Sequence, residues 1–357
     1  MNASNCKPKI GILTFHNGPN YGGFMQAWHL RKAISSMNFP VTDINYLHPR
    51  HLASNQKKIP VRNLGSLKAR IHWALKQHPF RNLGDSLCDH SFTTDPAHID
   101  WRGYHRIVVG SDVVWDFETA NYGHDPAYFG ALPAQQGSRL VSYAASCGPA
   151  DVDGPLPDYC NGLRGFSALS VRDEGAARLV QRVTDHPPQL VVDPTWLQDD
   201  PSDDFFRKIG RNYILVYGAT LEGEFARAVT AMCRSRGWAI ISAAAGCAVA
   251  DKTYRMLTPF QWVSLLRNAQ ATIIGGLHGT LYSIKYRKPF VLIADHNTRQ
   301  KAHLVLEKSG QMFRQVEPER LTHSHVELLE PGSQLPSGIP EDWRTSSLDF
   351  LAAALRD

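Results

Sequence analysis

Three residues sit where side-chain chemistry can be concentrated: His278, Arg172 and Asp112. His278 lies in Gly275-Gly276-Leu277-His278-Gly279, between an apolar, β-branched run at 271–274 and a stretch of helical spacing at 280–287 that ends before Pro289. An imidazole titrates near neutrality and can give or take a proton. Where a strand hands over to a helix, free backbone N–H groups and the helix dipole favour an anion. The competing reading is a turn whose glycines allow tight packing around a buried imidazole. Arg172 follows the run ALSV at 168–171 and precedes a helix from about 173 to 183, whose positive end suits Asp173 and Glu174. Asp112 closes the strand RIVVG at 106–110, where a helix N-cap is the alternative role. A polar, glycine-rich turn, His16-Asn17-Gly18-Pro19-Asn20-Tyr21-Gly22-Gly23, could cradle a phosphate or carboxylate on backbone N–H groups. It matches neither the Walker A spacing nor GxGxxG, and an ordinary strand-to-helix turn competes with that reading.

The elements that must hold these residues alternate. Residues 9–15 (KIGILTF) read as a strand, 24–37 as an amphipathic helix and 41–47 (VTDINYL) as a second strand. Further strands are expected at 106–110, 140–145, 168–171 and 190–192, so polar or charged residues recur at strand tips. The string Asp199-Asp200-Pro201-Ser202-Asp203-Asp204 is polar and proline-broken, as a domain link would be. A second series follows: a strand at 213–217, a helix at 222–236 ended by Gly237, and a strand at 238–243. Thr258-Pro259-Phe260-Gln261 spells a helix start with a capping box. A final amphipathic helix is expected at 342–356. The domains are therefore set at 1–200, with a basic helical insertion at about 49–100, then 205–330 carrying His278, then a tail and helix at 331–357.

A chain of 357 residues with 43% hydrophobic and 20% charged residues suits a soluble α/β protein of two domains. The net charge of +5 is too mild for a general nucleic-acid binder, yet favours an anionic substrate in a locally basic cleft. The six cysteines form no C-x-x-C pair or zinc spacing, and the histidines form no H-E-x-x-H. No catalytic metal is expected. The polar start MNASNCKPK leads straight into a strand, so no signal peptide is expected, and no apolar run approaches a bilayer span. A cytoplasmic protein with reduced thiols is consistent with this. Between 49 and 84 lie Arg50, Lys57, Lys58, Arg62, Lys68, Arg70, Lys76 and Arg81 without an acidic residue. With Leu64, Leu67, Ile71 and Leu75 at helical spacing, residues of about 59–83 read either as a helix packed on its own domain or as a peripheral contact with the inner face of the cell membrane.

Several segments together resemble the polysaccharide pyruvyl transferase family. They are Gly11-Ile12-Leu13-Thr14-Phe15; Asn20-Tyr21-Gly22-Gly23 with Gln26-Ala27; Val109-Gly110-Ser111-Asp112 with Trp115; Ser142-Tyr143-Ala144-Ala145-Ser146 with Gly148; Ser170-Val171-Arg172-Asp173; Asp193-Pro194-Thr195; His278-Gly279-Thr280 with Lys288-Pro289-Phe290; and Asn297 with Arg299. The resemblance implies an α/β fold of two Rossmann-like domains in a GT-B-like arrangement, with the active site in the interdomain cleft. It also implies transfer of the enolpyruvyl group of phosphoenolpyruvate onto two hydroxyls of a saccharide, releasing phosphate. Phosphoenolpyruvate is the donor substrate and no cofactor is implied. The acceptor would be lipid-linked or polymeric, as in exopolysaccharide biosynthesis.

The same resemblance assigns roles. Arg172 and His278, with Gly279, would hold phosphoenolpyruvate, since a guanidinium grips a phosphate or carboxylate in two places. Gly276 stands where some members carry arginine, so that phosphate contact is either missing or supplied elsewhere, for which Arg299 or Lys285 could substitute. His278 would act as the acid or steady the leaving phosphate, and Asp112 would take the proton of the sugar hydroxyl or orient the sugar. Asn20, Tyr21, Gly22 and Gly23 would form the acceptor wall, with Tyr21 and Trp115 as stacking platforms; core packing competes for Trp115. Val113 replaces an expected glutamine, which points to a different acceptor. Cys147 reads as a small packed residue rather than a nucleophile. Two rivals share the fold: a GT-B glycosyltransferase using a nucleotide sugar, and a saccharide-binding protein without turnover.

Overall fold

Short β-branched runs become buried parallel strands in both halves of the chain, and the amphipathic segments between them become the covering helices. The computed structural model describes residues 9–57, 80, 83–122, 124–132 and 140–356. The chain divides into one unit of Met1–Gln198 with Glu341–Asp357, and another of Asp199–Pro340.

In the first unit the order is β1 (Ile10–Leu13), α1 (Tyr21–Ser36), β2 (Val41–Asp43), α2 (Pro49–Lys57), β3 (Arg106–Val109), β4 (Leu140–Ser142) and β5 (Phe166–Ala168). The sheet runs β2-β1-β3-β4-β5 with every pair parallel. A short parallel pair, β6 (Ser170–Val171) and β7 (Gln189–Leu190), flanks α3 (Glu174–Thr184). The strand expected at 168–171 is therefore split between two sheets. Hydroxyls explain the break: Ser142 Oγ donates to Ser170 O (3.0 Å) and Ser170 Oγ to Ser142 O (2.8 Å), replacing ladder bonds. Helix α1 begins at Tyr21, earlier than its glycines suggest, because Asn20 caps it by accepting from Gly23 N at 3.2 Å. The core of this unit gathers Leu13, Ile107, Val109, Trp115, Phe129, Leu163 and Leu179.

The second unit contains β8 (Tyr213–Tyr217), α4 (Gly223–Arg236), β9 (Ala239–Ala243), β10 (Lys252–Tyr254), α5 (Pro259–Asn268), β11 (Ala271–Ile274), α6 (Leu277–Lys285), β12 (Phe290–Ile293), α7 (His296–Lys308) and β13 (Gln315–Val316). Its parallel sheet runs β10-β9-β8-β11-β12-β13. The capping box at Thr258 and Gln261 forms as its spelling dictates, and Gly237 ends α4 with φ +65°. The edge strands β10 and β13 and helix α7 had no expectation attached. The acidic connector is docked rather than solvated: Asp200 accepts from Tyr282 (3.0 Å) and Tyr286 (2.5 Å) and pairs with Lys285 at 2.6 Å, while Ser264 Oγ donates to Asp203 O. The last helix, α8 (Glu341–Arg356), belongs to the first unit, where Ser347 Oγ accepts from Val192 N at 3.0 Å.

Numbered within its own unit, the first sheet has the order 2-1-3-4-5 and the second 3-2-1-4-5-6. Both are doubly wound orders, with a crevice beyond the strand tips where the winding reverses. Those reversals fall between β1 and β3 and between β8 and β11. The basic segment at about 59–83 lies outside the described residues except for Phe80 and Leu83. Among the described residues, no helix is long and apolar enough to cross a membrane.

Candidate active site

The β1/β3 reversal in the first unit opens a pocket of mixed polar and apolar lining. The loop after β1 supplies Phe15, Asn17, Gly18 and Asn20, the tip of β3 supplies Asp112 and Val113, and α2 brings His51 and Asn55, with Tyr122 at the side. Its volume is about 80 Å³. Thr14 Oγ1 donates to Ser111 O (2.7 Å), and Gln26 Nε2 donates to Thr14 Oγ1 (3.0 Å) and Gly23 O (2.8 Å), so the tips of β1 and β3 and the start of α1 are tied together. Asp112 adopts φ +76°, a conformation that aspartate tolerates better than most residues.

Three of the sequence segments meet at one guanidinium. Arg172 Nη2 donates to Asp112 Oδ1 at 3.2 Å, and Nη1 donates to Asp193 Oδ2 at 2.8 Å and to Ser111 Oγ at 3.2 Å. Asp193 Oδ1 in turn accepts from Thr195 N (3.1 Å) and Oγ1 (2.9 Å). The side chains of Arg172, Asp112 and Asp193 are only 4%, 9% and 3% exposed. Burial alone would lower the Arg172 pKa, but Asp193 and Asp112 beside it hold it above its ordinary value. The guanidinium is thus fixed between carboxylates from two loops, and Asp112 is aimed by it.

In the second unit the β8/β11 reversal brings Gly218 against Gly275. A Cβ on Gly275 would lie 1.9 Å from Gly218 O, and one on Gly279 would lie 2.5 Å from Ile274 Cγ2, so both glycines serve close backbone approach. Gly276 differs: its φ of −164° suits any residue, and among the described residues nothing lies within 4 Å of a Cβ there. His278 is half-buried and already inside α6, one residue past its start, and the N-cap position of that helix, Gly276, has no side chain to cap it. The first turn can therefore offer N–H groups and the dipole's positive end to an anion.

The expected site residues divide as follows. Asn20 and Asp112 share the pocket of the first unit, and His278 with Gly279 opens α6 in the second. Trp115 is a correction: it is fully buried, its Nε1 donates to Tyr128 O, and its ring packs by Phe129 and Phe166, so it has no face for a sugar. Tyr21 is also buried, its ring 5.0 Å from that of Phe80, and Gly22 and Gly23 are buried in the first turn of α1. Arg172 is held by Asp112 and Asp193. Asp173 caps α3 by accepting from Ala176 N. Arg299 is paired with Glu317, and Lys285 with Asp200. Burial pushes the Cys147 thiol well above its ordinary range. The described cysteines are free thiols. His51, Asn55 and Tyr122 carried no signal: two lie in the stretch read as a basic insertion, and nothing local marks the third.

Two parallel sheets in doubly wound order define a two-unit α/β fold of GT-B-like type. The fold is similar to a Listeria monocytogenes protein assigned as a UDP-N-acetylglucosamine 2-epimerase (13% identity, 98% of this chain and 91% of that one, TM-score 0.50). It is also similar to the UDP-GlcNAc 2-epimerase of Methanocaldococcus jannaschii (12% identity, 97% and 99%, TM-score 0.52). A comparison with curated protein sequences gives no match. The family model for polysaccharide pyruvyl transferase matches residues 20–297, and the chain belongs to that family.

Proposed function

We propose that the protein is a pyruvyl transferase that uses phosphoenolpyruvate to ketalate a saccharide. Two hydroxyl oxygens of one sugar bond to C2 of the enolpyruvyl group. One hydroxyl proton ends on the methylene carbon, which becomes a methyl group, and the other leaves with phosphate. The observation that carries this reading is the position of Asp112 and His278, each at the winding reversal of its own sheet, in a chain of the pyruvyl transferase family.

The proposal gives one substrate to each unit. Phosphoenolpyruvate is anionic, and the uncapped start of α6 with His278 and Gly279 suits it. His278 delivers the proton to the methylene carbon or steadies the departing phosphate. Asp112 accepts the proton of the attacking hydroxyl, and Arg172 is a positioning residue that fixes the carboxylate. The acceptor is a sugar on a lipid or growing polymer at the cytoplasmic face of the membrane.

Incubation with phosphoenolpyruvate and candidate glycans tests the reading. Phosphate release with a new ketal methyl signal in the proton NMR spectrum is the expected result. Release of a nucleoside diphosphate from a nucleotide sugar would replace it with glycosyl transfer. His278→Ala and Asp112→Asn should each remove most turnover without altering the fold; full activity in either variant takes that residue out of the chemistry.

A further inference from the structure

We infer that the pocket of the first unit is selective for an uncharged sugar residue, and that α2 carries the selectivity through Asn55 and His51. The inference rests on the transferase reading only in calling that sugar the acceptor. The charge around the pocket comes first. One guanidinium faces two carboxylates in the Asp112–Arg172–Asp193 cluster, leaving it net negative, and no lysine or arginine among the described residues lines the pocket. A uronate or sugar phosphate placed there would set its charge against Asp112.

Hydrogen-bonding capacity points the same way. Asn17 commits its amide N to Asn45 Oδ1 at 2.6 Å and Asp85 Oδ1 at 3.5 Å, and its Oδ1 packs against Gly84. Asn20 commits Oδ1 to Gly23 N, which leaves its NH2 as donor. Asn55 supplies both donor and acceptor, and its amide packs close to Gly18, where a Cβ would stand 2.9 Å from Asn55 Nδ2. Mixed donors and acceptors match sugar hydroxyls, which do both, whereas carboxylate and phosphate oxygens only accept. A flat wall completes the pocket: Tyr122 stacks on Phe15 (5.5 Å, 18°), and His51 packs edge-on to both rings. This is the aromatic surface that Trp115 and Tyr21 do not provide.

Saturation-transfer NMR on the full chain, without donor, tests this with methyl glycosides of galactose and glucose against the corresponding methyl uronates. The neutral glycosides should bind and the uronates at least tenfold more weakly. Asp112→Asn should narrow that gap to threefold or less. Asn55→Ala, and separately Gly18→Ala, should weaken the neutral glycosides at least fivefold with the circular dichroism melt unchanged. Uronates binding equally well, no glycoside binding at all, or both loop and helix variants binding like the parent would each overturn the inference. Neutral glycosides bound by a protein that never releases phosphate from phosphoenolpyruvate would support the pocket and sink the transferase. Ketalation of uronates alone would do the reverse.

Discussion

Replacing Arg172 with methionine separates a positioning role from a donor-binding one. The guanidinium lies 2.8 Å from Asp193 and 3.2 Å from Asp112, and none of the three side chains is more than 9% exposed. Removing it strands two buried carboxylates, and breaking such a pair costs about 3–5 kcal/mol. In a unit of roughly 200 residues that corresponds to a fall in Tm of about 6–20 °C. The loss must depend on pH. A stranded carboxylate can shed part of its cost by taking a proton in the folded state, so the variant keeps most stability in acid and loses it as pH rises. Urea melts at pH 5 and pH 8 should show a deficit that is larger at pH 8, and Arg172→Met with Asp193→Asn should recover part of it. In steady-state assays on Arg172→Lys, the positioning role lowers kcat about a hundredfold, as losing an aligned base does, while KM for phosphoenolpyruvate holds. A deficit below about 1 kcal/mol, the scale of an exposed pair, would refute the buried-cluster reasoning. A raised KM with kcat intact would return Arg172 to the donor.

Other perturbations follow from single sites. Burial raises the Asp43 pKa to about 7, against a weaker lowering by Arg31, so its contribution to stability is full below about pH 4 and lost as pH rises through 7. In urea melts Asp43→Asn should remove that loss, worth roughly 4 kcal/mol by pH 8. His16 has the opposite slope: burial lowers it to about 4, so its contribution is present above pH 6.5 and lost as pH falls toward 4, and His16→Asn should flatten the acid side of the stability curve. Gly275→Ala should cost about 1–3 kcal/mol or more through the clash with Gly218 O, whereas Gly276→Ala should stay within about 0.5 kcal/mol by thermal melt. Gly276→Arg should fold equally well and lower KM for phosphoenolpyruvate if the start of α6 holds the donor; a raised KM would count against that location.

Much of this arrangement could be read from local spelling, because caps and glycines act over a few residues. Thr258 with Gln261, Gly237 and Asp173 each do in the structure what their positions dictate. The early start of α1 was hidden because two glycines argue against a helix there, and the Asn20 cap and the packing of Tyr21 on Phe80 outweigh that propensity. The cluster around Arg172 was hidden for another reason. Its partners stand 60 and 21 residues away, and only the parallel order of the strands brings their tips together. A basic residue at a strand tip looks the same in sequence whether it waits for a phosphate or is held by two aspartates.

That difference decides how the proposed substrates divide. A phosphate and a carboxylate on one small donor need unneutralised positive potential, and the guanidinium that the sequence offered is outnumbered by the carboxylates that hold it. The uncapped first turn of α6 has partial positive charge that no side chain of its own cancels. The two crevices therefore differ in sign as well as in lining: the one holding Asp112 suits hydroxyls that must lose protons, and the one opening at His278 suits the anion that must gain one. Exchanging those signs tests the division directly. Asp112→Lys should abolish ketalation while letting inorganic phosphate bind the first unit, whereas Gly276→Asp should raise KM for phosphoenolpyruvate at least tenfold and leave methyl galactoside binding unchanged. If Gly276→Asp left the donor KM untouched, the second unit would not be where phosphoenolpyruvate sits.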